Sequence, residues 1–314
     1  KEGYWKTPLN DRQFRPKQQI IAPRLRQTVR LTNRLDPAFV VTVGDNVHGI
    51  GEWENFRVFV DCVRPLNCPI YTLIGNHDHG PRTRYFDGNP YGTREFGNFL
   101  WAQKQLEAPE LVNYSFDAGD WHFVVFCQPG AQDRYMARYP EWFEWLEKDL
   151  EANRGRPTFF FAHHPLLPVG RAHFDSYNLN AEYRRKLADI VTTHGNVTVC
   201  FFGHIHNSVA SIPDISWRWR DRAFIMMPNG ANIVRLNDFP ETYRSSWGTG
   251  IVEVDGTEVQ SITFHTLADE VVPIDPDEFD EYDDEFYAFL HPLGAMPSPP
   301  RLRNRGFEAP LAEG

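Results

Sequence analysis

Four short apolar runs, each cut off by a polar or histidine-bearing stop, constrain this chain more than anything else in it. Residues 38–43 stop at Gly44-Asp45-Asn46, residues 69–74 at Gly75-Asn76-His77-Asp78, residues 157–162 at His163-His164, and Val197–Phe202 at Gly203-His204-Ile205-His206. An unbroken apolar run of this length, without alternation, is the pattern of a strand covered on both faces. Helical spacing precedes each one. In residues 17–35, Ile20, Ile21, Leu25, Val29, Leu31 and Leu35 recur at helical intervals, and Asp36-Pro37 ends the helix because a residue before proline avoids the helical region. Trp53–Val63 and residues 142–152 and 181–191 read as the other three helices.

Hairpins interleave with these units. Residues 112–116 and Trp121–Phe126 flank Asp117-Ala118-Gly119-Asp120, and residues 250–254 and 258–264 flank Asp255-Gly256-Thr257. Helix–strand units give parallel pairing and hairpins give antiparallel pairing, so the expected fold class is α/β. It is a four-layer α/β/β/α sandwich of two mixed sheets with flanking helices, occupying residues 1–268. Residues 269–314 read as an acidic, then proline-rich tail, with a short helix expected over 279–290.

Charge narrows the partners. The net charge is −10, but residues 269–285 hold ten Asp and Glu and no Lys or Arg, so the rest of the chain is balanced. No basic stripe is present, which argues against a nucleic-acid polymer as partner. No apolar run approaches the roughly 18 residues a membrane span needs, so no membrane partner is expected. Cys62, Cys68, Cys127 and Cys200 show no CxxC spacing. Cys127 and Cys200 sit in apolar runs as core residues, and a Cys62–Cys68 pair has nothing else in its favour. Unpaired cysteines fit a cytoplasmic protein, with export left open.

In sheets of this kind ligands bind beyond the carboxyl ends of the strands. The four strand ends therefore bring Asp45, Asn76, His163, His204 and His206 to one crevice, and seven of the twelve histidines fall in or beside these stretches. A carboxylate, an amide oxygen and imidazoles suit zinc, manganese or iron rather than calcium or a thiolate metal. His77 beside Asp78 reads as a proton donor whose tautomer a carboxylate fixes.

The ordered set Gly44-Asp45, Gly75-Asn76-His77-Asp78, His163-x-Pro165 and Gly203-His204-x-His206 resembles the calcineurin-like metallophosphoesterase superfamily, in the manner of its class III phosphodiesterases. Asn113-Tyr114-Ser115-Phe116 and Trp145-Leu146-Glu147-Lys148-Asp149-Leu150 are similar to supporting segments of that family, and the likeness covers about residues 17 to 265. The resemblance implies a dinuclear centre of manganese, iron or zinc and hydrolysis of a small phosphate ester by a metal-activated water. Asp45 is then the carboxylate shared by both metals. Asn76, His163 and His204 complete one metal, His206 serves the other, and His77 is the acid for the leaving group, oriented by Asp78. The most direct function implied is a phosphodiesterase. A phosphomonoesterase like the purple acid phosphatases and a degenerate metal-binding or interaction module are the alternatives.

One departure stands out. The family opens with an Asp-x-His motif at the end of a first strand, and no such motif or strand precedes Asp45. Because the sequence starts at Lys1 rather than Met, the expectation is that this piece lies upstream, the alternative being that half of the site is lost. Either way the sequence keeps a full ligand set for one metal only. His48 occupies the position where purple acid phosphatases carry a tyrosine ligand, and reads as a supporting residue of the loop; His79 and His164 read as pocket-lining. His164, Arg82, Arg84 and Trp217 are the candidate substrate contacts, with Trp217-Arg218-Trp219-Arg220 as a dense aromatic-cationic cluster.

Overall fold

The computed structural model describes residues 8–47, 51–78, 94–109, 113–127, 140–167, 181–206, 209, 212–228, 230, 231 and 247–282. In chain order the elements are α1 (Pro8–Leu35), β1 (Val40–Val41), α2 (Trp53–Val63), β2 (Ile70–Tyr71), α3 (Arg94–Gln105), β3 (Tyr114–Ala118), β4 (Trp121–Phe126), α4 (Pro140–Ala152), β5 (Thr158–Ala162), α5 (Ala181–Thr193), β6 (Val197–Phe202), α6 (Ile212–Ile215), β7 (Trp217–Trp219), β8 (Arg222–Met226), β9 (Gly248–Asp255), β10 (Glu258–Thr266) and β11 (Val271–Pro273).

A six-stranded mixed sheet, in the order β3-β4-β5-β6-β8-β7, forms the centre. Strands β4, β5, β6 and β8 run parallel, and the two edges are antiparallel. Every residue of β4 and β5 is buried, which explains their unalternated sequences. Successive side chains still go to opposite faces. Val124, Phe126, Phe160, Cys200, Phe202 and Phe224 meet α4 and α5 through Leu146, Leu150, Leu187 and Val191. Phe123, Phe159, Phe161, Phe201 and Ile225 face the second β layer. Burying one such leucine contributes about 1.5–3 kcal/mol, so the α4–α5 face alone fixes the sheet firmly.

The second β layer is in two pieces: the parallel pair β1–β2 and the antiparallel triplet β11-β10-β9. Helices α1, α2 and α3 cover β1 and β2 through Val29, Phe56, Val60, Phe96 and Phe99. The layers are therefore helix, sheet, sheet, helix, as the sequence implies.

Several expectations change. The boundary placed at residue 268 does not fall there, because β11 pairs with β10, and Ile274, Phe279 and Tyr282 are buried in the body. Arg218 of β7 donates its N–H to the Asp280 carbonyl and accepts from the Tyr282 N–H, so this segment runs along the edge of β7 as extended chain. Residues 279–282 are thus not helical, and 283–314 lie outside the described residues. Helix α3 and the β7–β8 hairpin were not read from the sequence. All four cysteines are free thiols, including Cys62 and Cys68. No helix among the described residues is long and apolar enough to cross a membrane.

Candidate metal centre

The site is built where β1, β2, β5 and β6 run out. Beyond each strand the chain turns sharply, and three site residues have left-handed backbones: Asp45 (φ 51°), His204 (φ 67°) and His206 (φ 52°). Such conformations cost about 1–3 kcal/mol each and persist where surrounding structure imposes them. The approach is close as well. A Cβ on Gly44 (φ +88°) would lie 2.4 Å from His163 Nδ1, and one on Gly75 would lie 2.2 Å from the Asp45 nitrogen.

His163 is the hub. Its Nδ1 lies 2.8 Å from the Val43 carbonyl, which can only accept, so Nδ1 carries the proton. Nε2 is thereby aimed at the centre, 3.0 Å from Asn76 Oδ1, 3.2 Å from His204 Nδ1 and 3.3 Å from Asp45 Oδ1. Ligands about 2.0–2.2 Å from one cation stand about 3.0–3.5 Å apart, and each of the three other atoms stands at that distance from His163 Nε2. Asp45 Oδ2 is buried without a hydrogen bond, which is costly unless a cation or water meets it. The donor set and this oxygen fit a divalent cation.

The electrostatics of Asp45 and His204 agree with that reading, while His163 leans towards its cation until a metal takes the place of the Nε2 proton. Burial alone would raise the Asp45 carboxyl, but the charges of His163 and His77 hold it well below the usual carboxylate range. Burial likewise works against a charged His163, and Asp45 outweighs it and raises the imidazole. Burial, aided by His163, lowers His204 to about 3, leaving it a neutral donor. His206, partly buried, adds to that lowering by its own charge.

His77 is half-buried, and its backbone N–H donates to Asp45 Oδ1 at 2.9 Å. Asp78 departs from its expected role. Its Oδ2 accepts from Gly75 N (2.7 Å), Asn46 Nδ2 (3.0 Å) and Asn46 N (3.2 Å), and its Oδ1 from Val47 N (3.1 Å). The carboxylate ties the 44–47 loop to the 75–78 loop and does not hold the His77 ring. Neighbouring residues in a turn point different ways, so adjacency in sequence did not become contact. Burial and the nearby Asp45 push Asp78 up to about 7.

His164 is 1% exposed, its ring 4.1 Å from that of His204. It belongs to a trio with His163 and His204 whose nitrogens lie within 4.8 Å of one another, so it is not a substrate contact at an open pocket wall. Trp217 is also displaced from the site. It packs edge-on against Tyr282 at 5.6 Å beside the α4–α5 core. His48, His79, Arg82 and Arg84 lie outside the described residues. Asn46, whose side chain bridges the Leu73 carbonyl and Asp78, was missed. Its place directly after Asp45 was the available signal.

The fold and the centre define a metal-binding hydrolase architecture: an α/β/β/α sandwich with imidazole, carboxylate and amide donors at its strand ends. Residues 21–208, more than half of the chain, match the calcineurin-like phosphoesterases, and the chain belongs to that family. It is 27% identical over 171 residues to a probable glycerophosphodiester phosphodiesterase, GpdQ, of Arcobacter nitrofigilis, covering 54% of this chain and 57% of that protein. It is 27% identical over 194 residues to the 3′,5′-cyclic adenosine monophosphate phosphodiesterase CpdA of Haemophilus influenzae, covering 62% and 63%. The chain thus spans less than two thirds of these curated relatives. Among solved structures, its fold is similar to a purple acid phosphatase, PPD1, from yellow lupin (TM-score 0.56, 17% identity, 83% of this chain and 50% of that one). It is also similar to a dimetal phosphatase from Danio rerio (TM-score 0.51, 13% identity, 81% and 89%).

Proposed function

We propose that this chain is the catalytic body of a metal-dependent phosphodiesterase acting on a small phosphodiester of the glycerol-linked or cyclic-nucleotide kind named for its relatives. The observation that carries this reading is the convergence of Asp45, Asn76 and His204 within 3.0–3.3 Å of His163 Nε2. Manganese, iron or zinc held there would supply positive charge for the phosphoryl oxygens and lower the pKa of a water. The chain's own residues do the rest. The Val43 carbonyl orients His163, and Asp78 locks the two loops that carry Asp45 and Asn76. His77, tethered through its N–H to Asp45, is the proton donor to the departing alkoxide. The donor groups are unequal: Asp45 Oδ1, Asn76 and His204 each stand within 3.0–3.3 Å of His163 Nε2, while Asp45 Oδ2 and His206 remain for any second ion, so nearer one cation than two is held per chain.

The test uses protein dialysed against chelator and then against manganese, with metal content measured per chain. Hydrolysis of bis(p-nitrophenyl) phosphate is compared with that of p-nitrophenyl phosphate. Diesterase activity lost in Asp45→Asn and His163→Ala supports the reading. Full activity in both variants, or monoester hydrolysis alone, refutes it. His77→Ala should slow substrates with poor leaving groups most, and an equal loss on activated aryl esters removes His77 from the acid role.

A further inference from the structure

His164 is buried beside the metal centre, yet it is not among the donors around His163 Nε2. Burying an imidazole is costly where a hydrocarbon would fill the same space. Leu166 and Leu167, two and three residues on, are fully buried, so this turn does accept hydrocarbon. A histidine at 164 therefore calls for a reason other than filling.

Three rings pack on one another here. The His164 ring lies 4.1 Å from that of His204, centroid to centroid, with the planes 42° apart. His163 stands at a right angle to His164 (4.9 Å, 90°) and steeply to His204 (5.0 Å, 70°). Of the two neighbours, His164 is the one laid against the His204 ring.

The main chain around His204 is fixed by other means. The Gly203 N–H donates to the His163 carbonyl at 3.0 Å, and the Ile205 N–H donates to the Gly203 carbonyl at 2.8 Å. These bonds place the Cβ of His204 but not the rotation of its ring. For both imidazoles to reach one cation, Nδ1 of His204 has to face His163 Nε2, 3.2 Å away. The torsion that turns an imidazole about its last bond is broad and has no sharp staggered wells, so the plane is set by what packs on it. Pro165, buried directly after His164, narrows the choice further. A residue before proline is held to extended backbone, which fixes the direction in which the His164 side chain leaves the main chain.

We infer that His164 is a positioning residue: its ring, directed by Pro165, fixes the plane of His204 and so keeps Nδ1 aimed at the cation. The inference rests on the metal centre proposed above and gives His164 no bond to metal or substrate. Groups that orient a metal ligand change metal affinity by about 10- to 100-fold.

The test measures manganese binding by calorimetry in the chelator-treated chain and in His164→Leu, His164→Phe and His163→Ala, with urea unfolding of each metal-free protein alongside. Leucine has nearly the bulk of histidine but no plane, whereas phenylalanine keeps the plane and has no nitrogen. His164→Leu should unfold cooperatively and bind manganese at least about tenfold more weakly, and His164→Phe should bind as the native chain does. Native affinity in His164→Leu refutes the role. Equal losses in His164→Leu and His164→Phe mean that a nitrogen is required, and overturn the role in favour of a direct ligand. Proton NMR of the metal-free native chain needs no variant to fold: the His204 ring protons should be shifted by the His164 ring, and the shifts of a freely turning imidazole refute the contact. A native chain that takes up no manganese, or a His163→Ala variant that keeps it, sinks the metal centre itself. Manganese lost in His163→Ala but kept in His164→Leu sinks only the role of His164.

Discussion

His122 provides the sharpest test of the packing physics. It is 2% exposed in β4, with Nδ1 2.7 Å from Asp117 Oδ1 and Nε2 2.9 Å from Asp149 Oδ2. Carboxylates only accept, so both ring nitrogens carry hydrogens and the ring is a cation. Asp117 belongs to β3, Asp149 to α4, and the ring joins the hairpin to the helix. The Ser115 hydroxyl donates to Asp149 Oδ1 at 2.7 Å, and Arg156 pairs with the other Asp117 oxygen. Burial works against the charged ring, but the bonds to Asp149 and Asp117 outweigh it and raise its pKa. Asp117 is lowered, first by its bond from His122 and then by Arg156. A base raised on folding contributes stability that is fully present below its unfolded value of about 6.5 and fades as pH rises through the folded value. The bond to Asp149, whose side chain is 14% exposed, is of the buried charged kind, about 1.5–3 kcal/mol. Asp117 is 47% exposed, so its share is that of a surface pair, about 0.2–1 kcal/mol. His122→Phe should therefore cost about 2–4 kcal/mol at pH 6 in urea unfolding, and clearly less at pH 9. Asp149→Asn should flatten the same pH dependence. A His122→Phe cost that is equal at both pH values, or a ring that titrates near 6.5 by NMR, would refute the argument.

Gly44→Ala should push the His163 ring aside, since the new Cβ meets Nδ1 at 2.4 Å in a left-handed backbone. Manganese affinity by calorimetry should fall well over tenfold while the backbone strain costs only about 1–2 kcal/mol. Asp78→Ala removes the acceptor for four N–H groups. At about 1–3 kcal/mol per buried unsatisfied donor, unfolding free energy should drop by at least about 4 kcal/mol, and metal uptake should weaken with it. Leu146→Ala, at a fully buried position between α4 and the sheet, should cost about 2–5 kcal/mol and leave metal content per folded chain unchanged. Loss of metal in that variant would mean that the two faces of the sheet are coupled.

What the sequence made legible, and what it hid, divides along one physical line. The central strands and the convergence at His163 were readable because burial, strand length and the abrupt stop act within a few residues of each other. Trp53–Val63 and Val197–Phe202 fall where spacing puts them, and four donors 31 to 159 residues apart in sequence gather around His163 Nε2 because each ends its own strand. Features that depend on a distant partner were hidden. Asp78 collects its hydrogen bonds from Asn46 and Val47, a loop away, and nothing beside it in sequence points there. Trp217-Arg218-Trp219-Arg220 is dense in aromatics and cations, which drew attention to substrate. Its alternation is that of an edge strand, and Arg220-Asp221, both with positive φ, is the turn into β8. The acidic average of residues 269–285 masked Ile274, Phe279 and Tyr282, each buried against the body. Composition averages over a segment, whereas packing selects individual side chains from it.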